Sequence, residues 1–126
     1  MRIALLIIAL VATPALAIET RPSERTSAAV FKGEVISVQM VQALTNRITN
    51  AELYAARIKV TSVTKQDTKL ESEVTAYYVY YQGQVCPRCV ELGAKQKATF
   101  YCKRADIGGR SQVLYIPMAL WVVVDK

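Results

Sequence analysis

The side chains best equipped for chemistry are three cysteines: Cys86 and Cys89, in the stretch Cys86-Pro87-Arg88-Cys89, and Cys102 about a strand's length further on. A CxxC pair can work as a redox dithiol if its thiol pKa is lowered, and Arg88 places a positive charge where it favours the thiolate. Redox sites of that kind open a helix, however, whereas Val90-Glu91-Leu92-Gly93 leads quickly back towards a strand. A metal site would draw two thiolates from the pair and one from Cys102, which falls short of a tetrahedral structural set. The third use is a disulfide that staples a loop to a strand, as suits a small exported domain. Three cysteines permit three single bridges and always leave one thiol over, so Cys86, Cys89 and Cys102 are all disulfide candidates. Cys102 shares strand parity with Ala98 and Phe100, points inward, and is expected to belong to the bridge.

Histidine is absent, which removes Ser-His-Asp and Cys-His catalysis, histidine-ligated zinc and CxxCH haem attachment. Carboxylate pairs need no histidine, and Glu71 and Glu73 share a parity, but they stand at a strand entrance without a supporting motif and read as solvated surface. The chain is therefore expected to be non-enzymatic, with no cofactor and no metal. Its 16 Lys and Arg against 10 Asp and Glu give a net charge of +6. The basic residues are scattered among acidic ones, which biases encounters towards anionic surfaces without specifying a partner. Four of the seven tyrosines, Tyr77, Tyr78, Tyr80 and Tyr81, fall on both faces of one segment. Exposed between basic residues they would stack bases or sugars; ordinary packing of a residue with high strand propensity is the simpler reading.

The elements that position these groups follow from the pattern of apolar residues. Residues 1–17 carry Arg2, an apolar run of about ten residues and Ala15-Leu16-Ala17, the layout of a cleaved secretory signal. That run is well short of the roughly 20 residues that span a bilayer, so no membrane span is expected in the mature chain. Residue 18 is isoleucine, so the acylated cysteine of a lipoprotein is missing. Cleavage removes Arg2 and takes the net charge from +6 to +5. Residues 18–27 form an extended polar leader, and residues 28–126 suffice for one domain.

Within that domain five strands are expected. Over 28–41, Phe31, Gly33 and Val35 share one parity and Ile36, Val38 and Met40 the other, so a bulge or sharp coil beside the glycine is expected. Residues 54–63 alternate as a half-buried strand, and 73–82 form a β-rich strand in which either face could be buried. In 96–104, Ala98, Phe100 and Cys102 alternate with polar residues, and 112–124 is the most apolar segment, broken or bulged at Pro117. Gly108-Gly109 marks a turn, and Trp121 is assigned to the core. Without a long amphipathic helix, this order favours an all-β fold, a small five-stranded antiparallel OB-like barrel.

The opening strand Ala29-Val30-Phe31-Lys32-Gly33-Glu34-Val35-Ile36-Ser37-Val38 resembles that of netrin-like, tissue-inhibitor-of-metalloproteinases-like domains. So do Val60-Thr61-Ser62-Val63-Thr64-Lys65 and the stretch Cys86 to Cys102, CPRCVELGAKQKATFYC. The resemblance implies an OB-fold barrel. Inhibition in that family depends on an N-terminal cysteine whose amine and carbonyl reach the protease's metal. No cysteine precedes Cys86 here, so that activity does not carry over.

These readings converge on an exported binding or interaction module, periplasmic or extracellular, whose surface or loops take a protein or envelope component. Nucleic acid is not the expected ligand, and no binding face is assigned. A CxxC thiol-disulfide redox protein is the alternative class.

Overall fold

Valine, isoleucine, threonine and tyrosine fill the alternating segments, and those segments become strands because branched and aromatic side chains pack well on a pleated surface. The computed structural model describes residues 23–44, 50–81 and 89–125. The strands are β1 (Ala29–Ala43), β2 (Ala51–Gln66), β3 (Glu73–Tyr81), β4 (Lys97–Ile107), β5 (Arg110–Tyr115) and β6 (Val122–Val124). They form one sheet in the order β1-β2-β3-β5-β4-β6, and an added pairing of β1 with β4 closes it partly into a ring. The fold is all-β; the one helical element among the described residues is a 3₁₀ turn, Ala119–Trp121, and none of their helices is long and apolar enough to cross a membrane. The residues of the expected signal lie outside the described part of the chain.

Five expected strands become six because the last apolar segment is divided. β5 ends at Tyr115, Pro117 offers no N–H to a ladder, and the 3₁₀ turn drives Trp121 inward before β6 resumes. Both pieces lie on β4: Lys103 to Ile107 pair with β5, and Ala98 to Phe100 pair with β6. Five of the six strand pairings are antiparallel. The seam between β3 and β5 is parallel and short, joining Ala76 to Leu114 and Tyr77 to Tyr115.

The parity change in β1 is a set of register shifts against β2, one at Lys32/Gly33 and another that skips Ile36. At Gly33 the backbones of β1 and β2 approach closely. A Cβ there would sit 2.6 Å from Ile58 Cγ2 and 2.6 Å from the Lys59 carbonyl oxygen. This close approach lets residues 29–34 pair with β2 on one side and β4 on the other. The interior holds Phe31, Ile58, Phe100, Leu114, Ile116 and Trp121, with Phe31 and Phe100 stacked at 5.6 Å between ring centroids.

Residues 24–26, from the stretch expected as an extended leader, form a turn. The Ser27 backbone N–H and hydroxyl both donate to the Ser23 carbonyl, at 3.1 and 2.7 Å, and Ala28 N–H donates to the Cys102 carbonyl at 2.8 Å. The β4–β5 turn, Gly108-Gly109, has φ of 59° and 80°, the left-handed geometry of a two-residue hairpin. Its tip lies over Leu53, which is fully buried. Arg110 Nη1 there donates to Gln42 Oε1 at 3.0 Å, and its guanidinium lies 5.4 Å from the centre of the Tyr77 ring.

Candidate functional site

The pairing of β2 with β3 sets Tyr54 directly opposite Tyr78, and their rings stack at 5.5 Å and 10°. Tyr80, two residues on and therefore on the same face, stands at 80° to Tyr54 with 6.4 Å between centroids. With Val38 of β1 and the returning segment Val90, Glu91 and Leu92, these rings line an open hollow of about 290 Å³. Tyr78 forms its floor, 3% exposed. Burial pushes the Tyr78 phenol up to about 12, with the Glu91 carboxylate adding to the rise and a hydrogen bond with the Leu92 backbone opposing it. The Tyr54 hydroxyl donates to Glu52 Oε1 at 2.9 Å, and that bond is the main reason its phenol is raised. Tyr54 and Tyr78 therefore stay neutral at physiological pH, with both hydroxyls already engaged. The charged group lining the hollow among the described residues is the carboxylate of Glu91.

Two other concavities are larger, at about 380 Å³ each. The first lies along the short β3–β5 seam, with Glu71, Glu73 and Arg104 among its lining residues. Its charges are largely spoken for: Arg57 grips Glu73 through two hydrogen bonds of 2.9 and 3.0 Å, and Arg104 grips Asp67 through two of 3.1 Å. Each pair lowers the pKa of its carboxyl group. A carboxylate held ionised by an arginine is poorly placed to act as a general acid, so Glu73 has the character of a paired surface group. The second concavity is bordered by Cys89, Glu91, Gln96, Val122 and Val124.

The cysteines are arranged differently from expectation. Cys102 is free and fully buried, so the bridge expected to include it is not formed. Its place in the middle of the ring explains this, since Cys102 pairs with Ala29 across β1 and β4 and its side chain joins the core cluster of Phe31 and Phe100. Burial pushes its thiol up to about 12, which leaves it protonated and unreactive. Cys89 is largely buried and is not a free thiol. Cys86 lies outside the described residues, and among those described no bridge joins two cysteines. Residues 90–96 after Cys89 contain no helix.

The sequence already placed Tyr78 and Tyr80 on one face of β3 and Tyr54 on one face of β2, which was the signal available for the hollow. What it lacked was the register that stacks Tyr54 on Tyr78, and the return of Glu91 and Leu92 across the same rings. Of the outward tyrosines, Tyr77 is covered by Arg110 and Tyr81 is 46% exposed. Comparison of the chain with known protein families, curated proteins and solved structures finds no match.

Proposed function

We propose that this chain is an exported, non-enzymatic binding module and that the hollow of Tyr54, Tyr78 and Tyr80 is its ligand site. The observation that carries the reading is the coincidence, in one concavity, of partly exposed aromatic rings, apolar walls and, among the described residues, a single carboxylate, the composition usual for small-ligand sites. Among the described residues, the hydrogen-bonded Tyr54 and Tyr78 and the arginine-paired Asp67 and Glu73 offer no poised acid or base. An OB-like barrel of the netrin-like kind is compatible with the partly closed ring, and such barrels host binding of many sorts, so the site rather than the fold has to indicate the function.

The test is a titration of tyrosine-labelled protein with a soluble envelope extract, followed by NMR of the ring resonances. Shifts confined to Tyr54, Tyr78 and Tyr80 support the proposal. Shifts confined to Tyr77, Tyr81 or Tyr115, or no shift at all, overturn it.

A second reading is favoured by one finding. With Cys102 buried and free, Cys86 is the remaining candidate partner for Cys89, and a CxxC disulfide is the form a thiol-disulfide redox protein takes. Against catalysis stands the lack of a helix after Cys89, since a helix N-terminus is what lowers the reactive thiol's pKa in such sites. A Cys86–Cys89 bridge that stays closed against a glutathione buffer near the poise of an oxidising compartment, about −200 mV, marks a structural staple. A bridge that turns over catalytically with a disulfide substrate establishes the redox reading instead.

A further inference from the structure

Resting on the reading of the tyrosine hollow as a ligand site, we infer that it takes an alkylammonium group, with choline as the simplest form of that chemistry. The ring arrangement comes first. Tyr54 and Tyr80 stand at nearly a right angle, so together they make a corner of aromatic surface, and Tyr78, stacked against Tyr54, closes the floor. Aromatic faces carry negative electrostatic potential, and corners of tyrosine are how quaternary ammonium groups are held in water.

Among the described residues, the charge lining the hollow has the matching sign. Glu91 is at the rim and is near enough to raise the Tyr78 phenol, while Glu52 accepts the Tyr54 hydroxyl and puts a second carboxylate beside the ring stacked on Tyr78. This acidic, aromatic patch sits on a chain with a net charge of +6. Screening over about 8 Å at physiological ionic strength leaves a cation at the rim to respond to Glu91 more than to distant lysines. Tyr54 hydrogen-bonded to a carboxylate is also the more electron-rich, which strengthens the attraction of its face.

Size and wall chemistry narrow the ligand. About 290 Å³ is at the small end of ligand pockets, enough for a headgroup and too little for a large ring system. Val38, Val90 and Leu92 supply apolar walls that suit methyl groups and leave hydroxyls unpaired. A trimethylammonium group satisfies both demands, since its methyls contact the aliphatic walls and its charge faces the rings and Glu91.

The test titrates the intact exported protein with choline, with its neutral isostere 3,3-dimethylbutanol, and with N-acetylglucosamine, following the ring resonances of Tyr54 and Tyr80. Saturable choline binding on the order of millimolar or tighter, with the neutral isostere at least about fivefold weaker, is the expected result. Tyr80→Ala, at the partly exposed rim, should weaken choline roughly tenfold and Glu91→Gln severalfold. Unchanged Trp121 emission in both variants shows that the fold is kept. Equal binding of choline and its isostere overturns the cation preference while leaving a ligand site in place. Tighter binding of the sugar overturns it in favour of a glycan. Failure of all three probes overturns the inference, and the envelope titration still decides separately whether the hollow binds anything.

Discussion

Replacing Gly33 by alanine is the sharpest perturbation of the fold, because the added methyl has nowhere to go. The new Cβ meets Ile58 Cγ2 and the Lys59 carbonyl oxygen, each at 2.6 Å, where ordinary contacts are about 3.5 Å or more. Ile58 is fully buried, so its methyl cannot turn into free space. The Lys59 carbonyl belongs to a strand paired on both sides, with Glu34 and with Glu73, so relief requires moving β1 away from β2. Overpacking of this kind costs about 1–3 kcal/mol. Taking about 2 kcal/mol, a domain of this size loses about 8 °C or more in Tm. Two other glycines serve as controls. At Gly93 a Cβ meets nothing within 4 Å and φ is not left-handed, so Gly93→Ala should be neutral or stabilise by about 0.5 kcal/mol through the unfolded state. At Gly109 space is also open but φ is +80°, so Gly109→Ala should lose about 1 kcal/mol to backbone strain alone. Urea unfolding followed by circular dichroism should rank Gly33→Ala below Gly109→Ala and both below Gly93→Ala. A Gly33→Ala protein within about 0.5 kcal/mol of the parent would refute the argument from close approach.

Cys102 should resist iodoacetamide at pH 8 in the native protein and react once unfolded; rapid native labelling would contradict its burial. Cys102→Ser, which puts a hydroxyl where the core offers mainly apolar neighbours, should destabilise by about 1–3 kcal/mol in the same urea assay. The Asp67–Arg104 pair holds the Asp67 carboxyl below its ordinary value of 3.8, so its contribution is present above that value and is lost as pH falls through the lower, folded one. Both side chains are partly exposed, at 37% for Asp67 and 24% for Arg104, so Asp67→Asn should cost at most about 1 kcal/mol at pH 7. The variant and parent should converge in stability once the pH has fallen through the lowered Asp67 value, and a gap that persists there would assign the effect to packing. Trp121, the chain's single tryptophan, is 1% exposed and should emit in the blue and resist iodide quenching until the protein unfolds.

How much of this arrangement the sequence conveyed depends on how local each feature is. The alternation of Ala98, Phe100 and Cys102 is a property of neighbouring residues, and all three are fully buried. The parity change beside Gly33 and the break at Pro117 are equally local, and both appear in the structure, the second strongly enough to divide one expected strand into two. What depended on distant partners was not legible. The bridge assigned to Cys102 failed because inward orientation points equally to a bridge and to a core thiol, and only the pairing of β4 with β1 distinguishes them. The tyrosines of β3 could not be divided into floor, rim and covered surface until the returning segment Val90 to Leu92 and the β4–β5 hairpin were in place.

The position of β1 between two partners also dictates an order of events. Ala29 lies opposite Gln66 on one side and Cys102 on the other, and Phe31 lies opposite Val63 and Phe100. This strand, the first of those described to be synthesised, can therefore complete only one of its two ladders until residues 97–102 are available. Contacts so distant in sequence bring slow assembly, of the order of milliseconds to seconds, and during that interval Phe31 has no aromatic partner. A nascent chain of this design exposes the apolar residues Val30, Phe31 and Val35 of β1 while it waits for residues 97–102, so the interval before β4 arrives is when it is most open to a chaperone, or to aggregation in the absence of one.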